Sequence, residues 1–128
     1  MAAKIYGSKR PLADIDIDIE NKYIDLIFNK TQKYVIFGPA NYKDKEFNLL
    51  LMAIDYKGQK IDISGIYDRY LFNKSLNKWQ KDSINLLDSV KKKVNNKVVP
   101  VIPLRSLLKY KKKIVREVDI TDIGNLTI

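Results

Sequence analysis

Residues 12–19 read Leu-Ala-Asp-Ile-Asp-Ile-Asp-Ile, a strict alternation of apolar and charged positions. Side chains two apart on a strand share a face. The spacing therefore predicts a strand with Ile15, Ile17 and Ile19 on one side and Asp14, Asp16 and Asp18 on the other. Over 21–30 the period changes. Tyr23, Ile24, Ile27 and Phe28 fall at helical spacing and predict a short amphipathic helix. Residues 33–37 predict a strand that stops at Gly38-Pro39. Two apolar runs, 47–56 and 59–66, flank Lys57-Gly58, which is a β-hairpin signature. That turn sets Ala53 opposite Asp62, to within one or two residues.

Residues 67–82 carry Tyr67, Tyr70, Leu71, Phe72 and Trp79 without a clear period and read as connecting structure packed on the core. Residues 86–94 and 97–102, around Asn95-Asn96, predict a second hairpin. Pro100 and Pro103 limit its second strand and open a helix. That helix spans 104–118, where Leu104, Leu107, Leu108, Lys111, Val115 and Val118 recur in steps of three and four. A further turn begins over 119–122 and ends at Gly124. The alternation of strands and helices predicts an α/β (α+β) domain over 1–128. Its small mixed β-sheet carries helices packed mainly on one face.

The 128 residues are 45% hydrophobic, enough for one packed core. Cysteine and histidine are both absent. This removes disulfides, thiolate and imidazole metal sites, and Ser-His-Asp triads. Catalysis is left to carboxylates, lysines, arginines, tyrosines and hydroxyls, and metal binding to hard oxygen-loving cations such as Mg²⁺. The net charge of +9, from 24 basic and 15 acidic residues, favours anionic partners, although a lysine-rich solvated surface gives the same balance. No apolar run reaches the roughly 20 residues of a membrane span, and Met1-Ala2-Ala3-Lys4 does not open a signal peptide. The expected location is the cytoplasm, with no membrane partner.

The aspartate face is the feature most in need of explanation. Carboxylates two apart on a strand stand about 7 Å from each other and repel, and aspartate is a poor strand former. A solvated acidic edge strand accounts for this. So does a cation site, and the upstream residues favour it. Gly7 permits close backbone approach to a phosphate, Ser8 offers a hydroxyl, and Lys9 and Arg10 add positive charge.

Gly7-Ser8 followed by Asp14-Ile15-Asp16 resembles the Gly-Ser … Asp-x-Asp signature of the DNA polymerase beta-like nucleotidyltransferase superfamily. The resemblance implies the nucleotidyltransferase fold. It implies two Mg²⁺ ions, or Mn²⁺, held by Asp14 and Asp16, with Asp62 as the third carboxylate from a neighbouring strand. The implied reaction moves a nucleoside monophosphate from an NTP such as ATP to an acceptor and releases pyrophosphate. Gly7, Ser8, Lys9, Arg10 and Lys111 would hold the nucleotide. Residues 100–123 are similar to the Leu-rich helix with Lys, Arg and Asp-x-x-Asp of the toxin and abortive-infection branch. Lys111, Arg116, Asp119 and Asp122 match that pattern. There Lys111 reaches the triphosphate, while Arg116 and Asp119 brace the site.

The chain departs from the pattern in two ways. Five residues separate Ser8 from Asp14, fewer than in most members, and little sequence precedes Gly7. The acceptor stays open among RNA or tRNA, a protein and a small molecule. Two other readings stand beside the enzyme. One is an antitoxin or regulatory protein on the same fold, acting through a protein partner. The other is a basic nucleic-acid-binding protein, using Lys91-Lys92-Lys93 and Lys111-Lys112-Lys113 against phosphates. Tyr42, Tyr67, Tyr70 and Trp79 could stack on bases or pack in the core.

Overall fold

A computed structural model describes residues 2–7 and 14–126. The acidic alternation forms strand β1 (Asp14–Ile19). The hairpin at Lys57-Gly58 forms β3 (Phe47–Tyr56) and β4 (Gln59–Gly65). Lys57 and Gly58 both take positive φ, 51° and 87°, the backbone that a two-residue hairpin needs. Ala53 pairs with Asp62, as the turn spacing predicts. β1 then adds to the far edge of β4 in parallel, with Asp16 opposite Asp62 and Ile17 opposite Ile63.

The parallel pairing puts every isoleucine of β1 and β4 on one face. Helix α2 (Ile24–Thr31) covers part of that face, over Ile19, Ile61 and Ile63, and leaves Ile17 exposed. Ile24, Met52, Ile54 and Ile63 form the buried cluster, and Ile19, Ile27, Phe28, Tyr34, Val35, Leu50 and Ile61 pack round it. Each such side chain contributes roughly 1.5–3 kcal/mol on burial. The aspartates are thereby forced to the opposite face.

Among the described residues the sheet has six strands in the order β1-β4-β3-β5-β6, where β5 is Tyr70–Asn73 and β6 is Lys78–Lys81, with β2 (Val35–Lys43) on the other edge of β3. A separate two-stranded sheet is made by β7 (Val90–Val94) and β8 (Lys97–Val101). Helix α1 (Ala2–Ile5) packs with α3 (Leu104–Ile114) through Ala3 and Leu107. The Tyr6 hydroxyl ties this cluster to the Ile102 carbonyl at 2.6 Å. Helix α4 (Glu117–Leu126) packs on α3. The Lys74 amide, in the β5–β6 turn, donates to the Lys113 carbonyl at 3.0 Å, which joins α3 to the sheet. Among the described residues no helix is long and apolar enough to cross a membrane.

Three elements differ from the sequence pattern. β2 does not stop at Gly38-Pro39. It continues to Lys43, with its register shifting between Val35 and Phe37 and again between Phe37 and Ala40. Gly38, at φ 70° and before a cis Pro39, sits in that irregularity. Residues 67–82 are not connecting structure but contain the hairpin β5 (Tyr70–Asn73) and β6 (Lys78–Lys81). Asn73 is buried there and its side chain accepts from the Leu76 amide at 3.1 Å, so a polar residue occupies a core-facing position. The helix expected over 104–118 ends at Ile114. Val115 turns left-handed (φ 47°, ψ 50°), and α4 starts at Glu117.

A Cβ at position 38 would run into the Leu51 carbonyl oxygen and the Ala40 amide nitrogen. Gly38→Ala is expected to lose at least about 1–2 kcal/mol from left-handed strain alone, and more from the overlap. Urea denaturation of wild type and variant measures it.

Candidate active site

Asp14, Asp16 and Asp62 line an open cleft of about 1730 Å³ on the sheet face opposite α2. Asp62 Oδ1 is buried without a hydrogen-bond partner. The nearby Lys60 ammonium, at 3.8 Å, is beyond hydrogen-bond reach, on a side chain 47% exposed. Burial raises the Asp62 pKa. Lys60 opposes this, while Asp16 and Asp14 raise it further. Asp16 opens to solvent through the cleft, yet the cleft walls crowd it. Desolvation raises its pKa, and Asp14 and Asp18 add to the rise.

Two register-paired carboxylates that both have raised pKa values, one with an orphaned oxygen, are relieved by a shared proton or by a cation. The donors are hard oxygens, so the residues fit a divalent cation of the Mg²⁺ type. Among the described residues no three carboxylates already stand as a ligand group. The Asp16–Asp62 pair, with Asp14 on the same face, leaves the remaining positions to water or substrate. Mg²⁺ is commonly held in that way.

Asp18, the third carboxylate of the strand, is committed elsewhere. Arg69 donates to it at 2.7 Å and to Asp82 at 2.8 Å. Arg69 is itself only 8% exposed. Burial works against its charge, but the two aspartates hold its pKa above the ordinary value. Arg69 therefore removes Asp18 from competition with Asp16. Sequence reading missed Arg69 and Asp82. The signal was present, since an unexplained third aspartate calls for a basic partner.

The cleft wall across from β1 is built on a turn. Asp44 Oδ1 accepts from the amides of Glu46 and Phe47, each at 2.8 Å, and Oδ2 accepts from the Tyr42 hydroxyl at 2.8 Å. Burial opposes the Asp44 charge, but the Tyr42 and amide hydrogen bonds outweigh it and hold the pKa below the usual value. Phe47 stacks on Tyr110 with ring centroids 6.1 Å apart. The Arg116 guanidinium lies 5.5 Å above Phe47. All three line the cleft.

Lys111 does not. It is 4% exposed, with its ammonium 3.1 Å from Asp119 and 2.8 Å from Asp122, both fully buried. Asp119 also accepts from Arg116, at its amide (2.9 Å) and at Nε (2.8 Å). That amide contact is one half of a capping box at the start of α4. The expectation that Lys111 reaches a triphosphate does not fit this placement, because its charge is spent inside the protein between two helices. Arg116 is the member of the group that reaches the cleft. Gly7 lies in the turn after α1 at φ 102°, its amide donating to the Lys4 carbonyl at 3.1 Å. Ser8, Lys9 and Arg10 lie outside the described residues.

The fold is similar to the crystal structure of a "putative nucleotidyltransferase" from Thermotoga maritima. The TM-score is 0.62 at 18% sequence identity, covering 82% of this chain and 63% of that one. The chain thus spans less than two thirds of that neighbour's length. No family model and no curated protein sequence matches the chain. The architecture is the nucleotidyltransferase fold.

Removing one partner of a buried ion pair strands the other, so Lys111→Met is expected to cost about 3–5 kcal/mol in urea denaturation. Burial raises the pKa of Asp119, but Arg116 and Lys111 outweigh it and bring the folded value below the ordinary one. Its stabilising contribution is complete above the unfolded value of about 3.9 and is lost as pH falls through the lower folded value. An acid titration of stability that is flatter in Asp119→Asn than in wild type checks this. At Asp62 the sign reverses. Its raised folded pKa means that ionisation costs stability, so Asp62→Asn should raise Tm at neutral pH. The gain should shrink as acid protonates the wild type.

Proposed function

We propose that the chain is a divalent-metal-dependent nucleotidyltransferase that moves a nucleoside monophosphate from an NTP to an acceptor hydroxyl. The observation that carries this reading is the register-paired Asp16 and Asp62 on the cleft floor, with Asp62 Oδ1 unpartnered. Asp14, Asp16 and Asp62 would hold Mg²⁺ or Mn²⁺, which would neutralise phosphate charge and acidify a bound hydroxyl. Asp62 accepts the hydroxyl proton, a role for which a raised carboxylate pKa is suited. The acceptor oxygen bonds to the α-phosphorus as the α–β bridging P–O bond breaks, and pyrophosphate leaves. Arg116, at the cleft edge, takes the phosphate contact that Lys111 cannot make. The stacked Phe47 and Tyr110 offer an apolar wall for a base. A place in the toxin and abortive-infection branch is supported by Lys111, Arg116, Asp119 and Asp122, which gather in one network.

A regulatory or antitoxin protein on the same fold is the second reading. It is favoured by the sealing of Lys111 in its buried ion pair.

The test is incubation with each α-labelled NTP, Mg²⁺ and pooled cellular RNA and protein. Wild type should transfer label, and Asp14→Asn/Asp16→Asn should fall below about 1% of it with its fold intact. Mg²⁺-NTP binding without transfer would move the conclusion to the regulatory reading. Absence of both would end the nucleotidyltransferase reading.

A further inference from the structure

Asp18 is the third carboxylate on the acidic face of β1, and in the parallel register it stands opposite Ser64 of β4. Its side chain is 36% exposed, so water alone could meet its charge. It is met instead by Arg69, whose side chain is 10% exposed. Taking a guanidinium out of water is costly, and an aspartate at a solvent edge does not require it. The pairing calls for a reason beyond stability.

The segment that carries Arg69 is stitched to the end of β1. The Ile66 amide donates to the Ile19 carbonyl at 2.9 Å. The Asn21 side chain holds both backbone polar groups of Tyr67. Its Oδ1 accepts from the Tyr67 amide at 3.0 Å, and its Nδ2 donates to the Tyr67 carbonyl at 3.2 Å. A Cβ at position 65 would run into this Asn21 side chain, so Gly65 leaves the room it needs. Asp68 takes a left-handed φ of 52°. Arg69 follows, with Nη1 donating to Asp18 at 2.7 Å and Nε to Asp82 at 2.8 Å. The Asp82 amide in turn donates to the Arg69 carbonyl at 2.8 Å.

Asp18 is thus withheld from the cleft floor, although Asp16 stands only about 7 Å away on the same strand face. The number of carboxylates left matters to which cation fits. Mg²⁺ is held by one or two carboxylates and keeps several waters, whereas Ca²⁺ takes about 6–8 oxygens in a flexible shell. A fourth carboxylate beside Asp14, Asp16 and Asp62 would add the oxygens that Ca²⁺ wants. Arg69 holds the floor to three.

We propose that Arg69 is a positioning residue that sets the cation preference of the cleft, keeping Mg²⁺ and Mn²⁺ ahead of Ca²⁺ by withdrawing Asp18. This rests on the cation site of the functional reading above, not on the transfer step.

The test is Mn²⁺ binding followed by electron paramagnetic resonance, with Mg²⁺ and Ca²⁺ as competitors and circular dichroism as the check on fold. The proteins are wild type, Arg69→Met, Asp18→Asn and Arg69→Met/Asp18→Asn. Wild type should release Mn²⁺ to Mg²⁺ more readily than to Ca²⁺. In Arg69→Met the ratio of Ca²⁺ to Mg²⁺ affinity should rise at least about tenfold. Lost positive charge strengthens both divalent ions alike, so the ratio isolates the added ligand. The double variant should return the ratio to the wild-type value. Asp18→Asn alone should leave it within about twofold of wild type, because Asp18 is no ligand while Arg69 holds it. An unchanged ratio in folded Arg69→Met, or a raised ratio that persists in the double variant, would overturn the proposal. So would a wild type that prefers Ca²⁺, or a ratio that shifts toward Mg²⁺ in Asp18→Asn, a result that needs no Arg69 variant to fold. If wild type immobilises no Mn²⁺, the cation site falls and this proposal with it. If it binds Mn²⁺ and the ratio does not move, the proposal alone falls.

Discussion

Asp16 and Asp62 share one face of the sheet because β1 hydrogen-bonds to β4 in parallel, and that register is fixed by what lies on the other face. A slip of one residue would turn Ile19 away from the core under α2 and the aspartates toward it. The apolar seal under α2 is thus the constraint that sets two like charges side by side. Their mutual repulsion is an energetic cost carried by the isoleucine face, and strain of this kind concentrates where a protein binds something.

The remaining charges determine what the pair can do. Arg69 neutralises Asp18 and anchors Asp82, so the acidic face narrows to Asp14, Asp16 and Asp62. Lys111, Asp119, Asp122 and Arg116 form a second network at the α3–α4 corner. Val115 breaks the helix there in a conformation that β-branched residues rarely adopt. The corner turns the chain back so that Asp119 meets both Arg116 and Lys111. The result is an arginine at the cleft edge and a lysine locked behind it.

Much of this was legible in the sequence where period and turn chemistry agreed. The alternation around Asp14, Asp16 and Asp18 specified a strand and its faces, and Lys57-Gly58 specified the Ala53–Asp62 pairing. Other features escaped because they depend on contacts distant in sequence. Gly38-Pro39 reads as a stop, yet an edge strand with an irregular register absorbs it. The four-residue strands β5 and β6 are too short for a period to emerge, and the buried Asn73 blurs the one that exists. Val115 continues the apolar spacing of α3, so the break is invisible until Asp119 is seen capping α4. For the same reason Lys111 looked like a surface cation at a matching position. Its burial follows from two aspartates on the next helix.

The most direct test of the carboxylate site is Mn²⁺ binding, followed by electron paramagnetic resonance, in wild type, Asp16→Asn and Asp62→Asn. The account predicts that wild type immobilises Mn²⁺, that Mg²⁺ displaces it, and that either substitution abolishes binding while the fold persists. Binding no tighter in wild type than in the variants would contradict it, and would leave the paired aspartates as an acidic face without a cation.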